Sequence, residues 1–181
     1  MLTVGATLPA FEVVGVKPRF MEHTEDGVSA FQPIDENSFP GKWKLIYFYP
    51  KDFTFVCPTE IAEFSTLLPE FEDRNCVVLG GSPDNEFCKL AWRRAHPDLA
   101  KLNHWSFSDP NGVFAGQLGV CSHEGVPLRA TFLVDPLDVI QHVSVNGLNV
   151  GRSPAETLRV LDAAQTGALC PSTRTLGGDT L

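Results

Sequence analysis

An α/β domain, with a mixed central sheet flanked by helices on both faces, is the fold class this sequence predicts. Three observations lead there. Runs of apolar, β-branched and aromatic residues at 44–49 and 131–135 read as buried strands. Segments with apolar side chains spaced by three and four follow the early strands. An alternating segment comes directly after the late strand and reads as its antiparallel neighbour.

Along the chain, residues 1–43 carry Pro9, Pro18, Pro33 and Pro40 and only short strand candidates. KLIYFY at 44–49 is the first strong strand, stopped by Pro50. A loop, KDFTFV, leads to Cys57 and to a helix that starts near Pro58, where a missing N–H is harmless. Ile61, Phe64, Ser65 and Leu68 would give that helix one inward face. CVVLG at 76–80 is the next strand, closed by Gly80, Gly81 and Pro83. Residues 85–95 read as a helix with Phe87, Leu90, Ala91 and Arg94 on one side, and DPNG at 109–112 reads as a turn. TFLVD at 131–135 and VIQHVSV from 139 make a hairpin. Ser153, Pro154 and Glu156 then mark the start of a last helix by cap, first turn and capping box. It stops near Gly167, so residues 1–166 read as one domain and 167–181 as a cysteine-bearing tail.

With 181 residues the chain can bury roughly 70% of its extended surface, so it needs neither metal nor disulfide to fold. The net charge of -8, with Arg93 and Arg94 as the largest basic cluster, argues against nucleic acid as a partner. No apolar run approaches a membrane span. Thirteen Phe and three Trp point to an aromatic core with surplus apolar area for a partner subunit. The first residues lack a basic leader followed by an apolar stretch, so cytoplasmic residence is the expectation. His23, His96, His104, His123 and His142 show no ligand spacing and read as loop or surface polarity, so no metal site is expected.

Five cysteines, at 57, 76, 88, 121 and 170, are an odd number with no CxxC spacing, which disfavours a secreted disulfide scaffold. Cys57 is the informative one. At the start of a helix, unsatisfied N–H groups and the dipole favour a thiolate over a thiol. Thr54 can turn its hydroxyl toward the sulfur or a bound oxygen, Pro50 can shield the loop, and Glu60 can hold an arginine. Arg129 directly precedes the TFLVD strand and can point its guanidinium from the strand edge. The strand–loop–Cys–helix layout resembles the redox end of thioredoxin-like folds, without their second nearby cysteine.

PKDFTFVCPTE at 50–60 resembles the signature of the peroxiredoxins, in the typical 2-Cys, alkyl hydroperoxide reductase C-like type. GKWKLIYFYP, FSDPNGVFAGQLGV, RATFLVDP and GRSPAETLRVLDAAQ extend the resemblance over essentially the whole chain, with an actinobacterial flavour. The resemblance implies a thioredoxin-like fold and a thiol-dependent peroxidase acting on hydrogen peroxide and organic hydroperoxides, with no cofactor. It makes Cys57 the peroxidatic nucleophile, with Pro50 against the pocket and Thr54 hydrogen-bonding peroxide and sulfur. Arg129 would fix the thiolate, Glu60 and Arg152 would belong to the arginine network, and Trp92 would stand near the pocket rim.

A sulfenic acid on Cys57 must condense with a second thiol. Cys76 reads as core, Cys88 as a helix residue, and Cys121 as a turn residue with a less settled role. Cys170 lies in a proline- and glycine-rich tail that can move, and the resemblance places the resolving cysteine there, acting on the other subunit of a homodimer. It also implies a higher ring, a decamer or dodecamer, and recycling by a thioredoxin-like or flavoprotein-linked dithiol. The tail lacks the Tyr-Phe helix of overoxidation-sensitive relatives, which implies resistance to excess peroxide. Competing readings are a dithiol–disulfide oxidoreductase, which would need a second sulfur beside Cys57, a ring-forming chaperone, and a cysteine hydrolase.

Overall fold

The computed structural model describes residues 1–181. In chain order its elements are β1 (Glu12–Val16), β2 (Thr24–Glu25), β3 (Val28–Ser29), β4 (Phe31–Asp35), β5 (Trp43–Phe48), α1 (Cys57–Thr66), α2 (Leu68–Asp73) and β6 (Cys76–Ser82). There follow α3 (Glu86–Ala95), a 3-10 turn (Pro97–Leu99), β7 (Trp105–Ser108), α4 (Val113–Leu118), β8 (Arg129–Val134), β9 (Ile140–Asn146) and α5 (Pro154–Thr166). Seven strands form one sheet in the order β4-β1-β7-β6-β5-β8-β9, while β2 and β3 pair separately.

The sheet is mixed, as the order of elements predicts. β6 runs parallel to β5 and to β7, because helical crossovers connect them, and the remaining pairs are antiparallel. β5 shows why both faces are covered. Leu45 and Tyr47 point into a core shared with Ile61 and Phe64 of α1 and Leu158 and Leu161 of α5. Ile46 and Phe48 point the opposite way, into a core with Phe107 and with Phe114 and Leu118 of α4. A strand buried on both sides has no polar alternation, which is why KLIYFY reads as a continuous apolar run.

Several expectations are corrected. The helix after Cys57 is two helices, because Pro69 has no N–H for the carbonyl of Ser65; α1 ends at Thr66 and Leu68 opens α2. Gly80 and Gly81 do not close the 76–80 strand; β6 continues to Ser82. A Cβ on Gly80 would lie 2.2 Å from the Tyr47 ring, and one on Gly81 2.0 Å from the Phe107 ring, so these glycines make room for aromatics. In α3 the inward side chains are Lys89, Leu90, Trp92 and Arg93, while Phe87 is exposed. Arg93 therefore belongs to no basic surface; it donates to the carbonyls of Lys17, Phe20 and Val16 and to Ser106. β7 and α4 lie in a stretch where the sequence marks only the 109–112 turn.

His104 is a further correction. It is buried and meets the Tyr47 hydroxyl through Nε2 at 2.7 Å, and burial pushes its pKa down to about 3. The capping box at α5 forms by half. Ser153 Oγ accepts from the Glu156 N–H at 3.3 Å, but the Glu156 carboxylate turns to Arg159 at 2.7 Å. The tail folds back along α5. Arg174 is buried against Asp162 at 2.7 Å, and the Gly177 N–H donates to the same carboxylate at 3.0 Å. No helix is long and apolar enough to cross a membrane.

Candidate active site

Cys57 opens α1, and its side chain is fully buried. Pro58 fits the first turn, no side chain caps this helix end, and Cys57 therefore sits at the positive end of the helix dipole. β5 delivers the loop 49–56 to this point from the centre of the sheet. β8, paired with β5 in the register Tyr47 to Thr131, brings Arg129 alongside. The Arg129 Nη1 lies 3.4 Å from the Cys57 sulfur and donates to Glu60 Oε2 at 2.7 Å. Its Nε donates to the Leu148 carbonyl at 2.8 Å, which sets the plane of the guanidinium.

Glu60 lies one turn into α1 and joins two arginines. Its Oε1 accepts from the Arg152 backbone N–H at 2.7 Å and from Arg152 Nε at 3.0 Å, and Oε2 accepts from Arg152 Nη2 at 3.1 Å. The β5–β8 ladder stops one pair short of Phe48 and Ala130. Arg152 Nη1 takes up both freed carbonyls, at 2.7 and 2.8 Å. Its guanidinium also lies 5.0 Å over the Tyr47 ring. Tyr47 is a support that the sequence reading missed; the alternation of KLIYFY, which places it beside Leu45 and Tyr49, is the signal that could have found it. All these groups are buried. Two guanidinium charges against one carboxylate leave one positive charge, and it faces the sulfur.

The other expected residues fall as follows. Thr54 is half-buried, and its hydroxyl donates to the Lys51 carbonyl at 3.1 Å instead of reaching the sulfur. Pro50 is half-buried at the start of the loop. Trp92 is buried, with its ring against Tyr49 and Phe53 at centroid distances of 6.2 and 5.8 Å. It shares a core cluster with Cys57.

The five thiols are free and differ in environment. Burial pushes Cys76 up to about 12, and burial with Asp52 and Asp84 pushes Cys88 up to about 11. Cys121 is exposed, yet its pKa is also raised, by partial burial and then by Asp109. All three shifts favour the thiol over the thiolate. Cys170 lies half-exposed past the end of α5, with its sulfur 3.7 Å from the Ala163 carbonyl and 3.5 Å from the Thr166 hydroxyl. It is not at the Cys57 site. Among the groups near Cys57 there is no second sulfur, so the dithiol oxidoreductase reading is not favoured.

Known proteins share both sequence and fold with this chain. It is 43% identical over 184 residues to "Alkyl hydroperoxide reductase C" of Mycobacterium tuberculosis, covering 100% of this chain and 94% of that protein. It is 38% identical over 172 residues to "Thioredoxin peroxidase" of Trypanosoma brucei rhodesiense, covering 91% and 86%. The solved structure of Mycobacterium tuberculosis AhpC superposes with a TM-score of 0.87 at 43% identity, covering 95% of this chain and 98% of that one. Residues 4–143 match the AhpC/TSA family itself. The fold is therefore the thioredoxin-like one of the peroxiredoxins, and the chain belongs to the AhpC/TSA family as a thiol-dependent peroxidase.

Proposed function

We propose that Cys57 is the nucleophile and that Cys170 of a second copy resolves it. The observation that carries the reading is the single uncompensated guanidinium charge of the Arg129–Glu60–Arg152 group, which faces the Cys57 sulfur. The Cys57 thiolate attacks the terminal oxygen of a hydroperoxide; the S–O bond forms, the O–O bond breaks, and the oxygen that leaves takes a proton as water or alcohol. Arg129 and the first-turn N–H groups match the negative charge that develops on the leaving oxygen. Hydrogen peroxide and organic hydroperoxides both fit this chemistry. Thr54 would join the oxygen contacts after a rotation of its hydroxyl away from Lys51, and Pro50 would screen the loop from water.

The sulfenic acid on Cys57 then meets a thiol. Within one chain, Arg152 leads into α5 beside Cys57, whereas Cys170 lies past its far end. Thirteen residues of helix span about 20 Å, far beyond a disulfide's reach. A two-fold homodimer supplies the second thiol: the Cys170 sulfur bonds to the Cys57 sulfur and hydroxide leaves as water. A dithiol of thioredoxin type then restores both thiols by exchange. Assembly of such dimers into a ring and residence in the cytoplasm accord with this cycle.

Non-reducing mass spectrometry after one equivalent of hydrogen peroxide tests it. Wild type should give a covalent dimer bridged 57–170, C57S should not react, and C170S should accumulate the Cys57 sulfenic acid. A bridge from Cys57 to Cys76, Cys88 or Cys121 would overturn the resolving role, and unreacted Cys57 would overturn the nucleophile.

A further inference from the structure

A second buried charge cluster lies beneath the loop that carries Cys57, and the chemistry above makes no use of it. Lys89 of α3 donates from Nζ to Ser82 Oγ at 2.7 Å, to the Tyr49 hydroxyl at 3.2 Å and to Asp52 Oδ1 at 3.3 Å. The ammonium also lies 5.1 Å from the Tyr49 ring centroid. The Lys89 and Asp52 side chains are 1% and 0% exposed, so this ion pair is sealed from water. The Asp52 N–H donates to Asp84 Oδ2 at 2.8 Å, tying the same residue to the end of β6. Asp52 Oδ1 also accepts from Ser82 Oγ at 3.0 Å, while Oδ2 is buried without a hydrogen-bond partner, so Lys89 supplies the counter-charge and Ser82 a neutral hydrogen bond to that carboxylate.

The next residue is strained. Phe53 has φ 55, in the left-handed region that an aromatic residue adopts only under constraint. The constraint comes from both sides, with Asp52 held by Lys89 and the Phe53 ring packed against Trp92 at 5.8 Å. Both anchors, Lys89 and Trp92, are on α3, and the residues they hold, Asp52 and Phe53, stand five and four positions before Cys57 in the chain.

We infer that Lys89 is a positioning residue for the peroxidase reaction: by binding Asp52 it holds the 50–56 loop in its strained closed form and keeps Cys57 beneath Arg129. The inference rests on Cys57 being the nucleophile. The closed loop favours attack on peroxide, but it also buries the sulfur that a second copy's Cys170 must reach. The Lys89–Asp52 pair therefore sets the balance between the two steps. Removing the ammonium strands a buried carboxylate, and the relief open to it is to swing the loop into water.

The test uses the full-length K89M, K89R and D52N proteins, with reduced, peroxide-free samples alkylated by a neutral maleimide and mapped by mass spectrometry. Cys76, buried in the core at β6, reports global unfolding in the same sample. K89M should raise the Cys57 alkylation rate about ten-fold relative to Cys76, whereas K89R should stay near wild type. Stopped-flow oxidation of Cys57 should slow by about ten-fold in K89M, while disulfide formation speeds up. D52N removes the pair without stranding a carboxylate and carries the test if K89M does not fold; it should shift the same ratio in the same direction. A folded K89M or D52N protein with the wild-type Cys57 to Cys76 ratio and oxidation rate overturns the inference, as does a stability loss that raises both alkylation rates equally. If C57S consumes peroxide, the nucleophile assignment fails, while the alkylation ratio still decides whether Lys89 clamps the loop.

Discussion

Glu60 is the residue on which the site's charge arrangement depends, because one carboxylate accepts from both Arg129 and Arg152. Neutralising it leaves two buried guanidiniums without a counter-charge. E60Q should lose about 3–5 kcal/mol of stability, read as a lower urea midpoint, and should lose peroxidase activity with it. Arg129 makes a more specific prediction. Its planar fork serves Cys57, Glu60 and the Leu148 carbonyl at once, which a lysine ammonium on a flexible stem does not reproduce. R129K should keep the fold and lower kcat/KM for peroxide by about 10²-fold, a loss of transition-state stabilisation. A near-normal kcat/KM in folded R129K would remove Arg129 from the reacting site.

Among the elements, β6 shows how a strand is shaped by its neighbours. Gly80 and Gly81 have ordinary extended backbone, and a methyl group at either would enter the Tyr47 or Phe107 ring. Both rings are fully buried, so they have no room to retreat. G80A and G81A should each cost about 1–3 kcal/mol through overpacking. Gly116, inside α4 with open space where its Cβ would stand, supplies the contrast. G116A should stabilise by about 0.5–1 kcal/mol, since it removes backbone entropy from a helix interior. Chemical denaturation of the three variants side by side checks the sign as well as the size.

Two predictions belong to the whole molecule. Burial alone would raise the Asp162 pKa, but the Gly177 N–H and the Arg174 and Arg74 guanidiniums outweigh it and hold it below 3.8. A lowered carboxylate pKa contributes stability that is present above the unfolded value and lost as pH falls through the folded one. The tail's hold on α5 should therefore persist at neutral pH and weaken below about pH 4. D162N should release the tail at neutral pH, seen as faster amide exchange over 171–178. Histidine 104 acts through the same linkage. Its pKa is pushed from 6.5 down to about 3, so the unfolded chain binds a proton that the folded chain refuses between those values. Stability should fall as pH drops through that window, and H104Q should flatten this part of the profile.

How much of this was legible in the sequence depended on how local its cause was. KLIYFY and TFLVD announced buried strands because apolar continuity is written in adjacent residues, and Cys57 before Pro58 announced a sulfur at a helix start. Glu60 as a holder of an arginine and Arg129 at a strand edge were read from the residues, and Arg152 from the family resemblance, but which side chains each would meet was not readable. Arg129 is 72 residues from Cys57, and Arg152 is 92 from Glu60. Strand order had to bring β8 beside β5, and the β9–α5 loop had to fold over them. The short β7 lacked a periodicity of its own, because a four-residue strand in the middle of a sheet takes its identity from the partners on either side. His104, Arg93 and Lys89 carry polar side chains that composition assigns to the surface, yet each is buried where a distant hydroxyl, carbonyl or carboxylate meets it. By itself, then, the sequence determined the strand-rich core, the helix-start cysteine and the family. The tertiary structure alone decided which charges face the sulfur and which polar groups the core accepts, because a buried charge is tolerated only where the folded chain supplies its partner.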